Sequence, residues 1–478
     1  MAVLTLRRPS LIALVALLIF LLIALSFTSY SPVSFGDYHD LPKPFSVPSP
    51  QNAGQPSDGW TYSYRRDWQN YGLTEEQCEA AFPSYGGEID GAAAYRRGNK
   101  IKESDIETGW RGDGIVRAMI WDNQLYITQS HAVWDYNHRP RMLAALNNLH
   151  RAISSSPTQD LPNIEFTITV HDSAEFHGLD PDPEHPQEHT TWALARLPHQ
   201  KSLWLMPDFG LWAWPNAGMN SWQELQRKIL DTEEGLRFED KIPRLVWRGQ
   251  TTVAAADVRS QLISAANESS WSDVKPIDWT NSTDVEDKRL TMEDFCRFQF
   301  AAMTEGNTYS GRMKIIQSCR TVVVSHKLSW IEPWHHLLRR AGPAQNYVEV
   351  ERDFSDLESK ITALLKDPEK ARRIADNSVS AFRERYFTPA ATACYWRHMI
   401  RKYAEVQGFE PNLFTEVENW DNVAKKNRLV KKPKGVPFES WVIMESTQWD
   451  VPPRPRRVCE YVLGGSWDVG TCGNSLAE

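Results

Sequence analysis

The sequence has no excess of positive charge, no internal repeat at a 20–50-residue period, and few cysteines. Its 53 Lys and Arg stand against 61 Asp and Glu, a formal charge of −8. This mild acidity offers no electrostatic footprint for a nucleic-acid partner. The six cysteines include no CxxC pair, which removes the common zinc and thioredoxin spacings. GxSxG and HExxH are also missing, so neither a nucleophile elbow nor a zincin helix is written here. With 41% hydrophobic and 24% charged residues, the 478-residue chain is neither wholly disordered nor multi-pass membrane protein. Its length suggests two to four domains with ample core.

What is abundant is Trp (20) and Pro (29). Indole rings stack on the C–H faces of sugars, but they also fill cores. The one long apolar run, residues 11–27, follows Arg7 and Arg8. Seventeen helical residues reach about 25 Å, close to a thin bilayer core. Positive charge on the short side keeps that end cytosolic. Residues 1–10 therefore read as a cytosolic tail and 11–27 as a signal-anchor, with a cleaved signal peptide as the other reading. The Pro-rich stretch that follows, assigned to 28–75, reads as an extended stem. Tail, anchor, stem and large body are the layout of a single-pass type II protein of the Golgi or ER membrane, body lumenal and bilayer contact through residues 11–27. An even number of cysteines fits that oxidising lumen, and Asn267 and Asn281 head possible N-glycan sequons.

The body alternates strand and helix signals. IEFTITV (164–170) ends at His171-Asp172, and the segment FGLWAWPNAG (209–218) carries Trp212 and Trp214. A strand at 244–247 runs into Arg248-Gly249-Gln250-Thr251-Thr252 before a helix over 257–267; RTVVVS (320–325) reads as a buried strand. Alternation at this spacing predicts parallel α/β layers. Two halves, 76–220 and 221–405, suggest two Rossmann-like lobes with a cleft between them. Residues 406–478 read as a solvated extension with a basic run at 425–434.

Three places can carry chemistry. In TEGNTYSGRMK (304–314), Gly306 and Gly311 allow close backbone approach, and Ser310 can cap a helix or bind phosphate. Arg312 and Lys314 fall in that helix's first turn, where the dipole disfavours cations unless an anion binds. Arg259 stands likewise in the first turn after the 248–252 loop, which could equally be an ordinary βα connection. Asp172 closes a strand, where α/β sheets bind ligands, and a carboxylate there can act as general base or serve as a simple turn residue. A fourth group, His171, His177, Asp180, Asp182, His185 and His189, crowds one proline-broken loop that can be read as a metal site or a polar surface loop.

Together, ITVHDS, LVWRGQTT, FCRFQFAAMTEGNTYSGRMKIIQSCRTVVV, PAQNYVEVERDFSDL and CYW resemble glycosyltransferase family 90, which includes fungal capsule-associated xylosyltransferases and animal protein O-glucosyltransferases. The resemblance spans about residues 110–405 and leaves the tail after about 420 outside. It implies a GT-B fold and a metal-independent, inverting transfer from UDP-xylose or UDP-glucose, the donor being a co-substrate and no cofactor being needed. The acceptor would be a glycan or glycoprotein. It places the catalytic base at Asp172 and donor contacts at Trp214, Arg248, Gln250, Arg259 and the loop Gly306, Asn307, Thr308, Tyr309, Ser310, Gly311 and Arg312. It implies disulfides Cys296–Cys319 and Cys78–Cys394, leaving Cys459 and Cys472 as a pair. Two other readings stay open: a metal-dependent transferase using Asp180 and Asp182, and a catalytically inactive lumenal sugar-nucleotide-binding protein.

Overall fold

Alternating apolar residues that part to two faces build the centre of the carboxyl half. The computed structural model describes residues 60–109, 114–131, 137–173 and 189–446. In it, strands β6 (Ile242–Gly249), β7 (Ser272–Pro276), β8 (Phe298–Met303), β9 (Val322–His326) and β10 (Val348–Val350) form one sheet in the order β10-β9-β8-β6-β7. Every neighbouring pair is parallel. Val322 and Val324 enter one buried cluster while Val323 enters the cluster on the opposite face. That double burial explains why these strands read as continuous apolar runs. The chain reverses its direction of travel across the sheet between β6 and β8. Such a switch point opens a crevice at the carboxyl ends of the two strands. The segments leaving those ends are 250–255 and 304–312.

The first sheet departs from the expected parallel layers. β1 (Ile115–Trp121) pairs antiparallel with both β2 (Gln124–His131) and β3 (Ile164–Thr169). Only β3, β4 (Thr191–Ala193) and β5 (Trp204–Leu205) run parallel. The cause is the tight turn at Asp122-Asn123, both in the left-handed region, which folds β2 straight back on β1. The molecule is thus mixed α/β with several sheets.

The expected boundaries also shift. Residues from 60 onward, assigned to the stem, already belong to the body: Trp60, Tyr62 and Tyr71 pack on its core and Leu73 is fully buried. The helix Pro389–Val406, expected in the second half, packs on the helices Glu75–Ala81, Gly87–Arg96 and His138–Ser154 of the first. Its first half, Pro389 through Arg397, is buried on every side, which fits a core helix. The extension is likewise built in. β11 (Phe414–Asp421) and β12 (Lys426–Pro433) form an exposed hairpin, and β13 (Val436–Pro437) then pairs with β2. Phe438 and Trp441 enter the core behind it.

Two disulfides are formed, Cys78–Cys394 and Cys296–Cys319, as the resemblance implied. The first ties the helix Glu75–Ala81 to the long helix, and the second ties the start of β8 to the start of β9. Cys459 and Cys472 lie outside the described residues. So does the expected anchor at 11–27; among the described residues no helix is long and apolar enough to cross a membrane. Removing Cys296–Cys319, which closes a loop of 23 residues, should cost about 3 kcal/mol. A Cys296→Ala/Cys319→Ala variant should show that loss in denaturant titration of the non-reduced protein.

Candidate functional site

The loop leaving β8 is pinned at its first acidic residue. The Glu305 N–H donates to His326 Nε2 at 3.1 Å, so the imidazole carries its proton on Nδ1, 2.8 Å from the Lys327 carbonyl. Burial lowers the His326 pKa and keeps the ring neutral for that role. The Glu305 carboxylate, 1% exposed, accepts from the Ser329 and Trp330 N–H groups at 2.6 and 2.9 Å and pairs with Arg352 at 2.9 Å. A buried carboxylate so fully bonded is a fixed post.

From that post the loop crosses to the first sheet. Asp172, three residues beyond β3, receives the Asn307 amide on Oδ2 at 3.2 Å and the Thr308 hydroxyl on its backbone carbonyl at 3.0 Å. Its Oδ1 accepts from Arg141 at 2.8 Å, and Arg141 lies over the Phe209 ring at 5.2 Å. Asn307 also accepts from the Ala254 N–H at 3.3 Å. One amide thus links the strand-end carboxylate to both loops of the switch point.

Next along the loop, the Tyr309 hydroxyl donates to Asp208 Oδ2 at 2.6 Å, and Lys314 pairs with Asp208 Oδ1 at 2.8 Å with both side chains 1% exposed. Burial and the Asp208 carboxylate push the Tyr309 phenol well above its ordinary pKa, so it stays a donor. Lys314 also stands 5.9 Å from the Trp214 ring.

The cations of the crevice are not alike. Arg248 is laced to the Lys288, Trp247 and Asp273 carbonyls and to the Asp273 carboxylate at 2.8 Å. Arg259 donates to the Gln250 and Glu305 carbonyls at 2.6 and 3.0 Å and has no carboxylate partner among the described residues. The Arg312 guanidinium makes no hydrogen bond or ion pair among the described residues and lies 5.3 Å from the Phe295 ring. Burial, then the repulsion of Arg259 and Arg248, pulls the Arg312 pKa down to about 10, and burial alone pulls Arg259 to about 10. Arg312 is deep in the body yet remains partly accessible. A guanidinium left uncompensated beside two others is costly unless an anion joins it.

The expected residues therefore divide. Asp172, Asn307, Thr308, Tyr309, Gly311 and Trp214 come together, and Gly306, Gln250 and Arg259 form the adjoining rim. Arg248 braces β6 to β7 through its guanidinium rather than standing as a free cation. Lys314 does not supply free charge, because Asp208 neutralises it. Neither glycine has a positive φ; a Cβ at Gly306 would come 3.2 Å from Arg259, and one at Gly311 would come 3.2 Å from Trp214. They make room for those side chains. Ser310 caps nothing with its side chain, and the helix behind it, Met313–Ser318, has only six residues.

Two site residues escaped the sequence reading, Arg141 and Asp208. Arg141 carried a usable signal, a cation in the first turn of the helix His138–Ser154, as for Arg259. Asp208 carried none. Of the His/Asp loop, His177, Asp180, Asp182 and His185 lie outside the described residues. Among the described residues no three His, Cys, Asp or Glu side chains gather as metal ligands.

A mixed α/β body sets at a switch point two arginines that no carboxylate pairs among the described residues, beside the Asp172 carboxylate, an arrangement able to hold an anion next to a proton acceptor. The chain belongs to glycosyltransferase family 90, whose description, Glycosyl transferase family 90, it matches over residues 78–448. That match takes in the hairpin and β13, so the tail beyond 420 is part of the family region up to 448. The chain is similar to "O-glucosyltransferase rumi homolog" of Aedes aegypti, at 23% identity over 43% of this chain and 54% of that protein. It is similar to the Anopheles gambiae protein of the same name, at 23% over 46% of this chain and 59% of that one. Similarity to "Protein O-glucosyltransferase 3" of Rattus norvegicus is 26% identity over 26% of this chain and 24% of that one. The chain thus spans a little over half the length of the mosquito relatives.

Two outcomes are expected. Arg312→Met should raise the thermal midpoint of the free protein, since it removes an unpaired charge, and should abolish stabilisation by inorganic pyrophosphate in the same melts. Asp208→Ala should cost about 3–5 kcal/mol by leaving the buried Lys314 without its ion-pair partner, and adding Lys314→Met should recover much of it in urea titration.

Proposed function

We propose that the protein is an inverting, metal-independent glycosyltransferase of GT-B architecture that moves xylose or glucose from a UDP-sugar to a hydroxyl of a glycan or glycoprotein. The observation that carries this reading is Arg312 beside Arg259, neither paired with a carboxylate among the described residues, one loop away from Asp172. Family membership and the names of the O-glucosyltransferase relatives support it. In the reaction, Asp172 takes the proton of the acceptor hydroxyl as its oxygen attacks the sugar C1 from the face opposite UDP. The bond from C1 to the phosphate oxygen breaks, and the electron pair leaves on UDP. Arg312 and Arg259 stabilise the charge that builds there. Arg141 holds the base's orientation. Trp214 offers an apolar wall for a sugar face.

The body would lie in the lumen of the Golgi or ER, anchored through residues 11–27. Two disulfides among the described residues suit that oxidising compartment.

The test is UDP release by the detergent-solubilised full chain from a panel of UDP-sugars, with and without EDTA. Release from one donor should be indifferent to EDTA and fall about 10²–10⁴-fold in Asp172→Asn, with Arg312→Ala also inactive. Release that needs a metal and survives Asp172→Asn would sink this mechanism and point to Asp180 and Asp182. UDP binding without release from any donor or acceptor would make the protein a sugar-nucleotide-binding module.

A further inference from the structure

The helix that delivers Arg141 to the base carries a second polar feature on the same stripe. Asn148 lies seven residues further on, two turns along the same face and about 10 Å away by helix rise. Its side chain is 8% exposed, and its amide makes no hydrogen bond among the described residues. Asn148 lines a cavity of about 140 Å³ together with Tyr71, Arg151, Trp212, Gln223 and Thr392. The walls are ordered. Arg151 lies 4.0 Å from the Trp212 ring and donates to the Tyr71 hydroxyl at 2.7 Å, and Gln223 donates to the same hydroxyl at 2.6 Å.

The segment 209–212 runs beside this helix and marks the direction. Phe209 sits under Arg141 near the base, and Trp212 sits under Arg151 at the cavity. Indole, phenol, amide and guanidinium are the groups that bind a polyol ring: apolar C–H faces against aromatics, hydroxyls against amide and cation. The volume suits one such ring. A pyranose spans roughly 5 Å of a glycan chain, so 10–15 Å along the helix corresponds to two or three residues from the sugar at Asp172.

We propose that this cavity is a binding subsite for one pyranose residue of an oligosaccharide acceptor, two or three residues from the sugar that receives the transferred group. The inference rests on the glycosyltransferase reading above. It deepens that reading by making the acceptor an extended glycan.

The experiment uses the detergent-solubilised full chain with trisaccharides (xylotriose, mannotriose, cellotriose, maltotriose) and their methyl monosaccharides. The accepted trisaccharide should exceed its monosaccharide about tenfold in kcat/KM. Asn148→Leu, nearly isosteric, and Trp212→Ala should remove that advantage through KM. Both should leave monosaccharide turnover and acceptor-free UDP release unchanged, which also shows that they fold. Equal use of trisaccharide and monosaccharide, equal loss on both in the variants, or transfer to a folded protein with none to any trisaccharide would overturn the subsite. If no UDP is released from any donor, the transferase reading fails instead. Saturation-transfer NMR with the same trisaccharides then decides the subsite alone: signal lost in Asn148→Leu supports it, and no signal overturns it.

Discussion

A buried ion pair, Lys314 with Asp208, holds together the two stretches of chain on which the site depends. Both side chains are almost wholly out of water, so removing either charge leaves the other buried without its ion-pair partner. Lys314 stands behind the glycine-rich loop, and Asp208 opens the aromatic segment that leads through Phe209 to Trp214. Their bond, with the Tyr309 hydroxyl on the second carboxylate oxygen, fastens the segment after β8 to the one after β5. The Asn307 and Thr308 contacts fasten the same segment to Asp172 beyond β3. None of these groups is adjacent in sequence to its partner.

Against this neutralised pair stands Arg312, two residues before Lys314 and treated in the opposite way. Carboxylates meet Lys314, Arg352 and Arg248 nearby, yet among the described residues none meets Arg312 or Arg259. That selective omission separates a binding surface from a structural network. Gly306 and Gly311 give clearance to Arg259 and Trp214.

The strands and helices that bury an apolar face were legible beforehand. β3, β6 and β9 read as strands, and the helix Ala256–Ala266 was expected over 257–267. What escaped was structure held by few local cues. β7 is short and half-exposed, the hairpin of β11 and β12 is polar on most of its surface, and β13 is two residues long. Their pairing partners are distant or solvent-facing, so neither periodicity nor composition marks them.

By itself the sequence determined which residue types can do the chemistry: a carboxylate closing a strand, arginines in the first turns of two helices, and a glycine-bearing loop between strand and helix. Those are local facts, because strand ends and helix starts are written within a few residues of each other. Only the tertiary structure decided which of the cations remain unpaired. Lys314 and Arg312 stand two residues apart in one short helix start, and Arg248 and Arg259 flank one loop. Their different fates turn on Asp208 and Asp273, which reach them from other strands and loops. Electrostatic pairing across such separations is a property of the packed chain, since a carboxylate's effect falls off with distance in space and not along the sequence.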